Sequence, residues 1–383
     1  MPLGFPPADM TAISASFDPA HFTDLPGWES DNHLAAWRAL LCSSGPVRAH
    51  AVTTNADAGS IAQRLADVCE RAQDLDSQGP PSAASARAFF ETNFTPHRVR
   101  HNGAAGLLTA YYEPELEGSL HTSDRFCIPV YRRPADLINL VPDAARGTVG
   151  EALTHARQTD AGLEPFATRQ AIEQGALSGH DLELLWLDNA VDCFFLHIQG
   201  SGLIRLPNGS KLRITYDGKN GHPYTSVGRY MIDQGVFSFD QMSLDSMKAW
   251  LGADAERGRQ AMWQNKSFVF FRVLEGDEAK SAMGVMHIPL SEGRSLAVDT
   301  SFHAIGTPVY VVAPTLMHAA GSGTGFARLM IAQDVGSAIR GPERGDLYFG
   351  SGDRAGALAG ITKHPGSYFV LLPKDQSAAP PVP

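Results

Sequence analysis

The strongest constraint on the fold of this chain lies between Arg328 and Asp353, which read RLMIAQDVGSAIRGPERGDLYFGSGD. The apolar run 329–332 predicts a buried strand, because none of its side chains needs water. A glycine-rich segment follows and carries Asp334 and Asp346, and glycine allows backbone conformations and close ligand approaches that other residues do not. Each aspartate alone is more often a turn residue that caps its own backbone. Together they favour a rigid strand that delivers carboxylates into loops.

A second segment repeats this arrangement. The apolar run 296–298 leads directly into Asp299, which small hydroxyl residues follow. Two strands that each end on an aspartate resemble the paired loops of aspartic proteases, in which two carboxylates share a proton. We exclude that class because the two loops are too close in sequence for separate lobes and because Val335 follows Asp334 where a hydroxyl residue is expected. The repeat instead predicts a small β-barrel of interlocked strands with aspartates at one mouth.

Three stretches carry a more specific signal: AVDTSFHAIGTP, RLMIAQDVGSAIRG and RGDLYFGSGDRAG. They resemble the three-aspartate domain of the membrane-bound lytic murein transglycosylase A family. Further matching stretches lie at 25–33, 108–119, 194–209, 216–229 and 265–272. Departures from the family pattern, at Ala110, Lys266 and Val335, remove no carboxylate. The resemblance implies a mainly β fold with N-terminal helices: a double-psi-type β-barrel domain, a second inserted β-rich domain, and a substrate groove between them.

The resemblance also implies an activity. Members of this family cleave the β-1,4 bond between N-acetylmuramic acid and N-acetylglucosamine in peptidoglycan and leave a 1,6-anhydro sugar. By its motif, Asp346 is implied as the single general acid and then base. Asp334 and Asp299 are implied to line the same barrel mouth and to hold the proton on Asp346 by like-charge repulsion. A nearby cation would lower that pKa, so Arg340, Arg344 and Arg354 are expected to point towards substrate carboxylates or solvent.

Candidate substrate-binding residues combine aromatic rings with amides, the groups that suit sugar faces and hydroxyls. Tyr111 and Tyr112 are adjacent on a predicted strand and point to opposite faces, so one is expected in the core and one at the groove. The other candidates are Gln199, Gly200, Ser201, Tyr216, Asn220, Tyr224 and Arg328. From the residues alone, 199–202 is equally consistent with a bulge and 216–224 with a simple loop.

The hydrophobic patterning predicts how the domains divide. Helical periodicity dominates the first hundred residues, with Asp31 as a candidate N-cap of the first helix. Residues 1–126 and 265–383 are assigned to the helical part and the barrel domain, and residues 127–264 to the inserted domain. Strands are predicted at Cys127–Arg132, Cys193–Gln199, Gly202–Leu206 and Lys211–Tyr216, and helices near Thr168–Gln174, Val227–Gln234 and Met242–Leu251. The Ala/Pro-rich tail 375–383 is expected to be disordered.

Composition and charge exclude several classes of function. A net charge of −10 over 383 residues argues against nucleic-acid binding, which needs a concentrated basic surface. No histidine or cysteine spacing resembles a metal site, and we expect neither a metal nor another cofactor. No apolar run approaches the ~18 residues of a membrane span. Among the four cysteines, a Cys42–Cys69 bridge between two amphipathic helices is the favoured pairing.

The chain start shows neither the basic nor the apolar region of a signal peptide. The resemblance implies export, so either a targeting segment has been removed or the start is misassigned. We expect a periplasmic protein, associated with the outer membrane in its full-length form. Expected partners are peptidoglycan glycan strands and cell-wall synthesis complexes, and the chain itself is expected to be a monomer. Two other classes stay open: a two-carboxylate peptidoglycan hydrolase and a non-catalytic wall-binding protein.

Overall fold

The structure, a computed structural model, describes residues 14–54, 56–57, 59–103, 105–142, 152–238, 241–319, 325–336 and 338–375. Apart from Asp375, the predicted tail 375–383 lies outside these ranges. The helices are α1 (His33–Thr53), α2 (Ile61–Ser77), α3 (Ala83–Asn93), α4 (Arg169–Ala171), α5 (Ala190–Gln199), α6 (Val227–Asp233), α7 (Leu244–Ala253), α8 (Ala255–Met262) and α9 (Asp353–Gly360). No helix among the described residues is both long enough and apolar enough to cross a membrane.

Strands account for most of the rest. They are β1 (Ala15–Pro19), β2 (Phe94–His101), β3 (Leu107–Glu113), β4 (Glu115–Ser119), β5 (Ile128–Tyr131), β6 (Leu137–Asn139), β7 (His155–Thr159), β8 (Gly162–Glu164), β9 (Glu183–Leu187), β10 (Ser201–Arg205), β11 (Lys211–Lys219), β12 (Val269–Leu274), β13 (Ser295–Ala297), β14 (Pro308–Ala313), β15 (Phe326–Asp334), β16 (Arg344–Ser351), β17 (Lys363–Pro365) and β18 (Ser367–Pro373).

One large mixed sheet forms the barrel region. Its nine strands follow the order β1-β2-β18-β14-β15-β13-β16-β3-β17. Two pairings are parallel, β13 with β15 and β3 with β16, and they lie on either side of the antiparallel β13–β16 pair. The helices α1, α2 and α3 pack on β14, β15 and β18, where Trp37, Leu40 and Phe90 meet Tyr310 and Leu329 in one apolar core. The predicted packing of N-terminal helices against the barrel is therefore observed.

Asp31 has a different role from the predicted N-cap. The side chain of Asn32, the next residue, accepts the hydrogen bond from the Ala35 N–H and caps α1. The Asp31 carboxylate instead pairs with the Arg294 guanidinium at 2.8 Å and accepts the Leu329 N–H at 2.7 Å. This aspartate therefore ties the start of α1 to the barrel.

A second sheet forms the inserted domain, in the order β12-β11-β10-β4-β9-β5. It reaches beyond the predicted range 127–264 at both ends, because β4 pairs in parallel with β10 and β12 pairs with β11. A three-stranded sheet of β6, β7 and β8 accompanies it. Helices α6 and α7 lie where the periodicity predicted them.

Residues Cys193–Gln199 form a helix, and the predicted strand there is wrong. They make up most of α5, whose N-cap is Asn189; its side chain accepts hydrogen bonds from the Val191 and Asp192 N–H groups. Gly200 ends the helix in the left-handed conformation, with φ at 79°, which glycine adopts without strain. A short apolar run between two such signals has no periodicity that separates helix from strand, so the capping residues decide.

All four cysteines are free, so the predicted Cys42–Cys69 bridge is wrong. Cys69 is fully buried, and burial raises the pKa of its thiol to about 11. The α1 residue that interacts with it is Ser44, whereas Cys42 is near Ser291. Residues two apart on a helix point roughly 200° apart, so α1 cannot present Cys42 and Ser44 to the same neighbour.

A buried ion pair joins the two domains. Glu113, at the end of β3, is fully buried, and its carboxylate lies 2.8 Å from Nε of Arg213 on β11. The Ser351 hydroxyl at the end of β16 donates to the same carboxylate at 2.6 Å. Barrel and inserted sheet are therefore held together by a charged pair.

Candidate functional site

A groove of about 270 Å³ lies between the barrel and the inserted domain. The barrel contributes Tyr111, Asp334, Arg344 and Asp346 to its walls. The inserted domain supplies mainly polar and aromatic side chains, among them His197, Gln199, Ser201, Thr215, Tyr216, Lys219 and Tyr224. The predicted position of a groove between the two domains agrees with this cavity.

Strand pairing brings two of the three predicted aspartates together. Ala297, the last residue of β13, pairs with Asp334 of β15 on one side and with Asp346 of β16 on the other. Neighbouring strands lie ~4.8 Å apart, so the backbones of the two aspartates are about 10 Å apart across one intervening strand. Both carboxyl groups reach the groove from this edge.

Asp346 differs from the other two aspartates in its hydrogen bonds and in its pKa. It lies opposite Thr109 of β3, whose hydroxyl donates a hydrogen bond of 2.5 Å to Oδ1. Its Oδ2 has no hydrogen-bond partner within the described part of the chain. Burial raises the pKa of the Asp346 carboxyl, against the opposing effects of Arg344 and of the Thr109 hydrogen bond. Burial, not the predicted like-charge repulsion, is thus the cause.

Asp334 is engaged on both oxygens. The Tyr111 hydroxyl donates to Oδ2 at 3.0 Å, and the Val335 N–H donates to Oδ1 at 2.9 Å. Burial and the neighbouring Asp334 charge raise the pKa of the Tyr111 phenol well above its usual value, so Tyr111 remains a hydrogen-bond donor. Asp334 therefore fixes the ring of Tyr111 in the groove wall.

Asp299 lies outside the groove, contrary to its predicted position at the barrel mouth. It is 5% exposed, and its oxygens accept the Ser301 N–H at 3.0 Å and the Gly341 N–H at 2.8 Å. These bonds tie the loop after β13 to the loop before β16. The role of Asp299 in this structure is to hold two loops in place.

On the inserted side, the predicted residues Gln199, Gly200, Ser201, Tyr216 and Tyr224 all line the groove. Gln199 also connects the domains, because its Oε1 accepts the backbone N–H of Tyr112 on β3 at 3.1 Å. Its amide nitrogen remains as a potential donor to a ligand. Amide and phenol groups on one wall therefore face carboxyl groups on the other.

Asn220 is structural, and its predicted place in the binding site is wrong. It is fully buried. Its side-chain nitrogen donates to the carbonyls of Ala167 and Lys266 at 2.8 and 2.9 Å, and its oxygen accepts the Phe268 N–H at 2.9 Å. The amide therefore bonds three backbone groups, and Asn220 does not line the groove.

Tyr112 and Arg328 are likewise absent from the groove-lining residues. The Tyr112 ring is buried against Gly356 of α9, as the alternation along β3 predicted for one of the two tyrosines. The Arg328 guanidinium donates to the carbonyls of Gly293 and Ala319. Both residues serve the barrel interior and its loops.

Sequence reasoning missed several groove residues. Thr109, which hydrogen-bonds Asp346 without itself lining the groove, was missed as well; it could have been found, because it lies two residues before Tyr111 on one strand and so shares its face. Arg169 and His197 gave no such signal. They come from distant segments, are 1% and 6% exposed, and meet at 3.1 Å while Arg169 also donates to the Ser267 carbonyl. Burial and the Arg169 charge hold the pKa of His197 well below its usual value, and only the folded chain brings the guanidinium and this imidazole together in the groove wall.

Two family models match different parts of the chain. Residues 107–272 match the MltA specific insert domain, and residues 294–372 match the 3D domain. The first range covers the six-stranded sheet from β4 to most of β12, and the second covers the aspartate-bearing strands β13, β15 and β16.

Whole-chain comparisons point the same way. A membrane-bound lytic murein transglycosylase A from Vibrio cholerae is 37% identical over 269 residues, which cover 69% of this chain and 65% of that protein. The chain thus spans slightly under two thirds of this curated relative.

Among solved structures, a membrane-bound lytic murein transglycosylase from Agrobacterium tumefaciens has a TM-score of 0.80 at 36% identity, covering 94% of this chain and 98% of that one. An Escherichia coli MltA structure with bound chitohexaose has a TM-score of 0.63 at 26% identity, covering 94% and 92%. These matches confirm the expected fold class, a double-psi-type barrel with an inserted domain.

Proposed function

Because the chain belongs to the membrane-bound lytic murein transglycosylase A family, we propose that it is a peptidoglycan lytic transglycosylase. It cleaves the β-1,4 bond between N-acetylmuramic acid and N-acetylglucosamine and forms a 1,6-anhydro end. One carboxyl group, that of Asp346, acts first as general acid and then as general base.

One observation carries this assignment. Of the three aspartates, Asp346 alone combines a place in the groove, a raised pKa and an oxygen with no hydrogen-bond partner in the described residues. Asp334 already accepts hydrogen bonds on both oxygens, and Asp299 is committed to loop backbones. A carboxyl that must donate and then accept a proton needs a free oxygen and a pKa near the working pH.

The proposed steps use one carboxyl group twice. Protonated Asp346 donates its proton from Oδ2 to the glycosidic oxygen, and the bond from that oxygen to the sugar C1 breaks. The ionised carboxyl then takes the proton of the 6-hydroxyl of the sugar that carries C1, while the oxygen of that hydroxyl attacks C1. Asp346 is protonated again at the end, and no water is consumed. Intramolecular attack benefits from a high effective molarity, so one protein carboxyl is sufficient.

Neighbouring residues support the two forms of Asp346. The Thr109 hydroxyl donates to Oδ1, which orients the carboxyl and stabilises its ionised state after proton donation. Burial favours the protonated state before it. The Tyr111 ring, fixed by Asp334, offers a flat apolar surface to a sugar ring beside the reacting bond.

The proposed ligand is a peptidoglycan glycan strand, in agreement with the chitohexaose bound by the E. coli relative. We place the protein in the periplasm, associated with the outer membrane, because its relatives are described as membrane-bound murein enzymes. Cell-wall synthesis complexes are proposed as further partners of a monomeric enzyme.

The experiment is the release of anhydromuropeptides from purified murein by wild type, Asp346→Asn and Asp334→Asn. We expect Asp346→Asn to lose about 10²–10⁴-fold in turnover, to melt no lower than wild type and to keep its binding of glycan. Asp353→Asn is the matched control, since this exposed aspartate lies outside the groove. A near wild-type rate for Asp346→Asn with an inactive Asp334→Asn would transfer the catalytic role to Asp334.

The same products separate the two other classes. A two-carboxylate hydrolase would leave reducing ends that carry one added water, and it would need Asp334 as base or nucleophile. The two hydrogen bonds on Asp334 disfavour that use. A wall-binding protein without activity would bind insoluble murein and release nothing.

A further inference from the structure

Building on the proposed function, we infer that Arg344 binds a carboxylate of the glycan strand, so that the groove prefers carboxylate-bearing strands over neutral N-acetylglucosamine polymers. Nothing in the proposed chemistry at C1 requires this arginine.

The position of Arg344 follows from strand geometry. Arg344 and Asp346 are two residues apart on β16 and therefore share one face of the strand. Both are partly exposed, whereas Gly345, which lies between them, and Leu347, which follows Asp346, are buried. Both line the groove. A group bound by the Arg344 guanidinium therefore lies within one strand repeat of the proposed acid.

The charge of Arg344 is not balanced by the protein. Its Nη1 donates to the carbonyls of Gly345 at 2.5 Å and Leu107 at 3.5 Å, both neutral backbone groups. No carboxylate of the described residues pairs with it within 4.0 Å. The backbone bonds hold the side chain in place and leave donors of the guanidinium fork for a ligand.

Three arginines with little exposure elsewhere in the two domains show the contrast. Arg169 pairs with Glu173 at 3.1 Å, Arg213 with Glu113 at 2.8 Å, and Arg294 with Asp31 at 2.8 Å. Of these only Arg169 touches the groove, where the Ser267 and Asn265 carbonyls also occupy its donors. Arg344 thus differs from these three, and Arg328, which likewise bonds only backbone carbonyls, does not line the groove.

The chemistry of a guanidinium identifies its ligand. Arginine presents a planar fork of donors that matches a carboxylate, and such charged pairs are stronger and more specific than neutral hydrogen bonds. N-Acetylmuramic acid carries a carboxyl-bearing substituent that N-acetylglucosamine lacks, and its carboxylate is free in strands without stem peptides. Binding that carboxylate would also balance the charge that lowers the pKa of Asp346, and so favour the protonated acid in the complex.

The test crosses an enzyme change with a substrate change. The substrates are peptide-free glycan strands with free carboxylates and the same strands after amidation of those carboxylates with methylamine. The variants are wild type, Arg344→Gln and Arg344→Lys. Arg340→Gln is the matched control, because Arg340 donates to the Gly336 and Ile339 carbonyls and does not line the groove. Both kcat/KM and calorimetric affinity are measured, and melting temperatures report on folding.

We expect amidation to reduce the wild-type kcat/KM and affinity by about 10- to 100-fold, the range of a lost charged hydrogen bond. Arg344→Gln should lose a similar factor on free strands and nothing more on amidated ones. Arg344→Lys should fall between, and Arg340→Gln should match wild type. An equal loss for Arg344→Gln on both substrates, or no effect of amidation on wild type, would overturn the inference.

Failure of the proposed function looks different. Wild type would then release no anhydro product from either substrate, and the affinities alone would decide the role of Arg344. A wild-type preference for free strands that disappears in Arg344→Gln supports the inference in that case too, and its absence refutes it.

Discussion

The ion pair between Glu113 and Arg213 offers a sharp energetic test, because it is buried where the two domains meet. Glu113→Gln removes the charge with almost no change in volume, so it leaves no cavity. Arg213 is 11% exposed at its side chain and would keep an uncompensated charge there. Removing one partner of a buried pair typically costs 3–5 kcal/mol. The glutamine can still accept hydrogen bonds from Arg213 and Ser351, so we expect the lower end, about 3 kcal/mol.

The assay is urea unfolding with the slope m checked for constancy, so that a shifted midpoint reports stability. The matched control is Asp233→Asn. It breaks the exposed Arg229–Asp233 pair, with 75% and 53% side-chain exposure, and we expect a change of ~0.5 kcal/mol or less. The double variant Glu113→Leu/Arg213→Met should recover most of the loss, since apolar replacement of a whole buried pair is often neutral. A Glu113→Gln midpoint equal to that of Asp233→Asn, or a double variant as unstable as the single one, would refute this reasoning.

Three further predictions concern single positions. Burial raises the folded-state pKa of Asp346 above its unfolded value of ~3.9, so wild type loses stability as pH rises from the unfolded pKa through the folded pKa. The stability of Asp346→Asn relative to wild type should therefore be constant below the unfolded pKa and should increase as pH rises through the folded pKa. Melting curves across pH will show this, and a difference that stays constant at every pH would contradict it. Gly345→Ala would place its Cβ 2.0 Å from the Tyr368 hydroxyl, so we expect the free energy of unfolding to fall by about 1–3 kcal/mol from overpacking. Gly252→Ala, whose Cβ meets nothing within 4 Å, should lose little or no stability, and equal melting temperatures for the two variants would contradict the clash. Asn220→Ala leaves three backbone groups without their partner and should destabilise the protein by about 2–3 kcal/mol. Its affinity for glycan, measured below the melting temperature, should stay unchanged, and weaker binding by a fully folded variant would show that Asn220 belongs to the binding site.

Comparison of sequence with structure shows which signals are reliable. Strand patterns and the family motifs placed Asp334 and Asp346 at one edge, because the patterns encode which face of a strand each residue occupies. Asp299 fits the same pattern but does not line the groove, because its oxygens accept hydrogen bonds from two backbone N–H groups. No local pattern reveals which donors a loop will bring from forty residues away.

The binding residues show the same limit. An amide in a turn-rich loop was interpreted as ligand-facing, yet Asn220 bonds backbone carbonyls of two segments that become neighbours only in the fold. The helix α5 was missed because its apolar run is short, although Asn189 and Gly200 mark its ends in the sequence. Capping residues were the available signal there. For Asn220 and for the Arg169–His197 contact, the sequence contains none.

The register at Ala297 has a consequence for how this site can change over time. The spacing between Asp334 and Asp346 is set by main-chain pairing across a single three-residue strand. Substitutions in the core can therefore accumulate without altering the distance between the two carboxyl groups. A one-residue insertion or deletion in β13 is different, because side chains alternate between faces. It would reverse the faces of β13's own residues and shift the register through which this strand pairs with β15 and β16, so this short strand should tolerate exchange of residues but not a change of length.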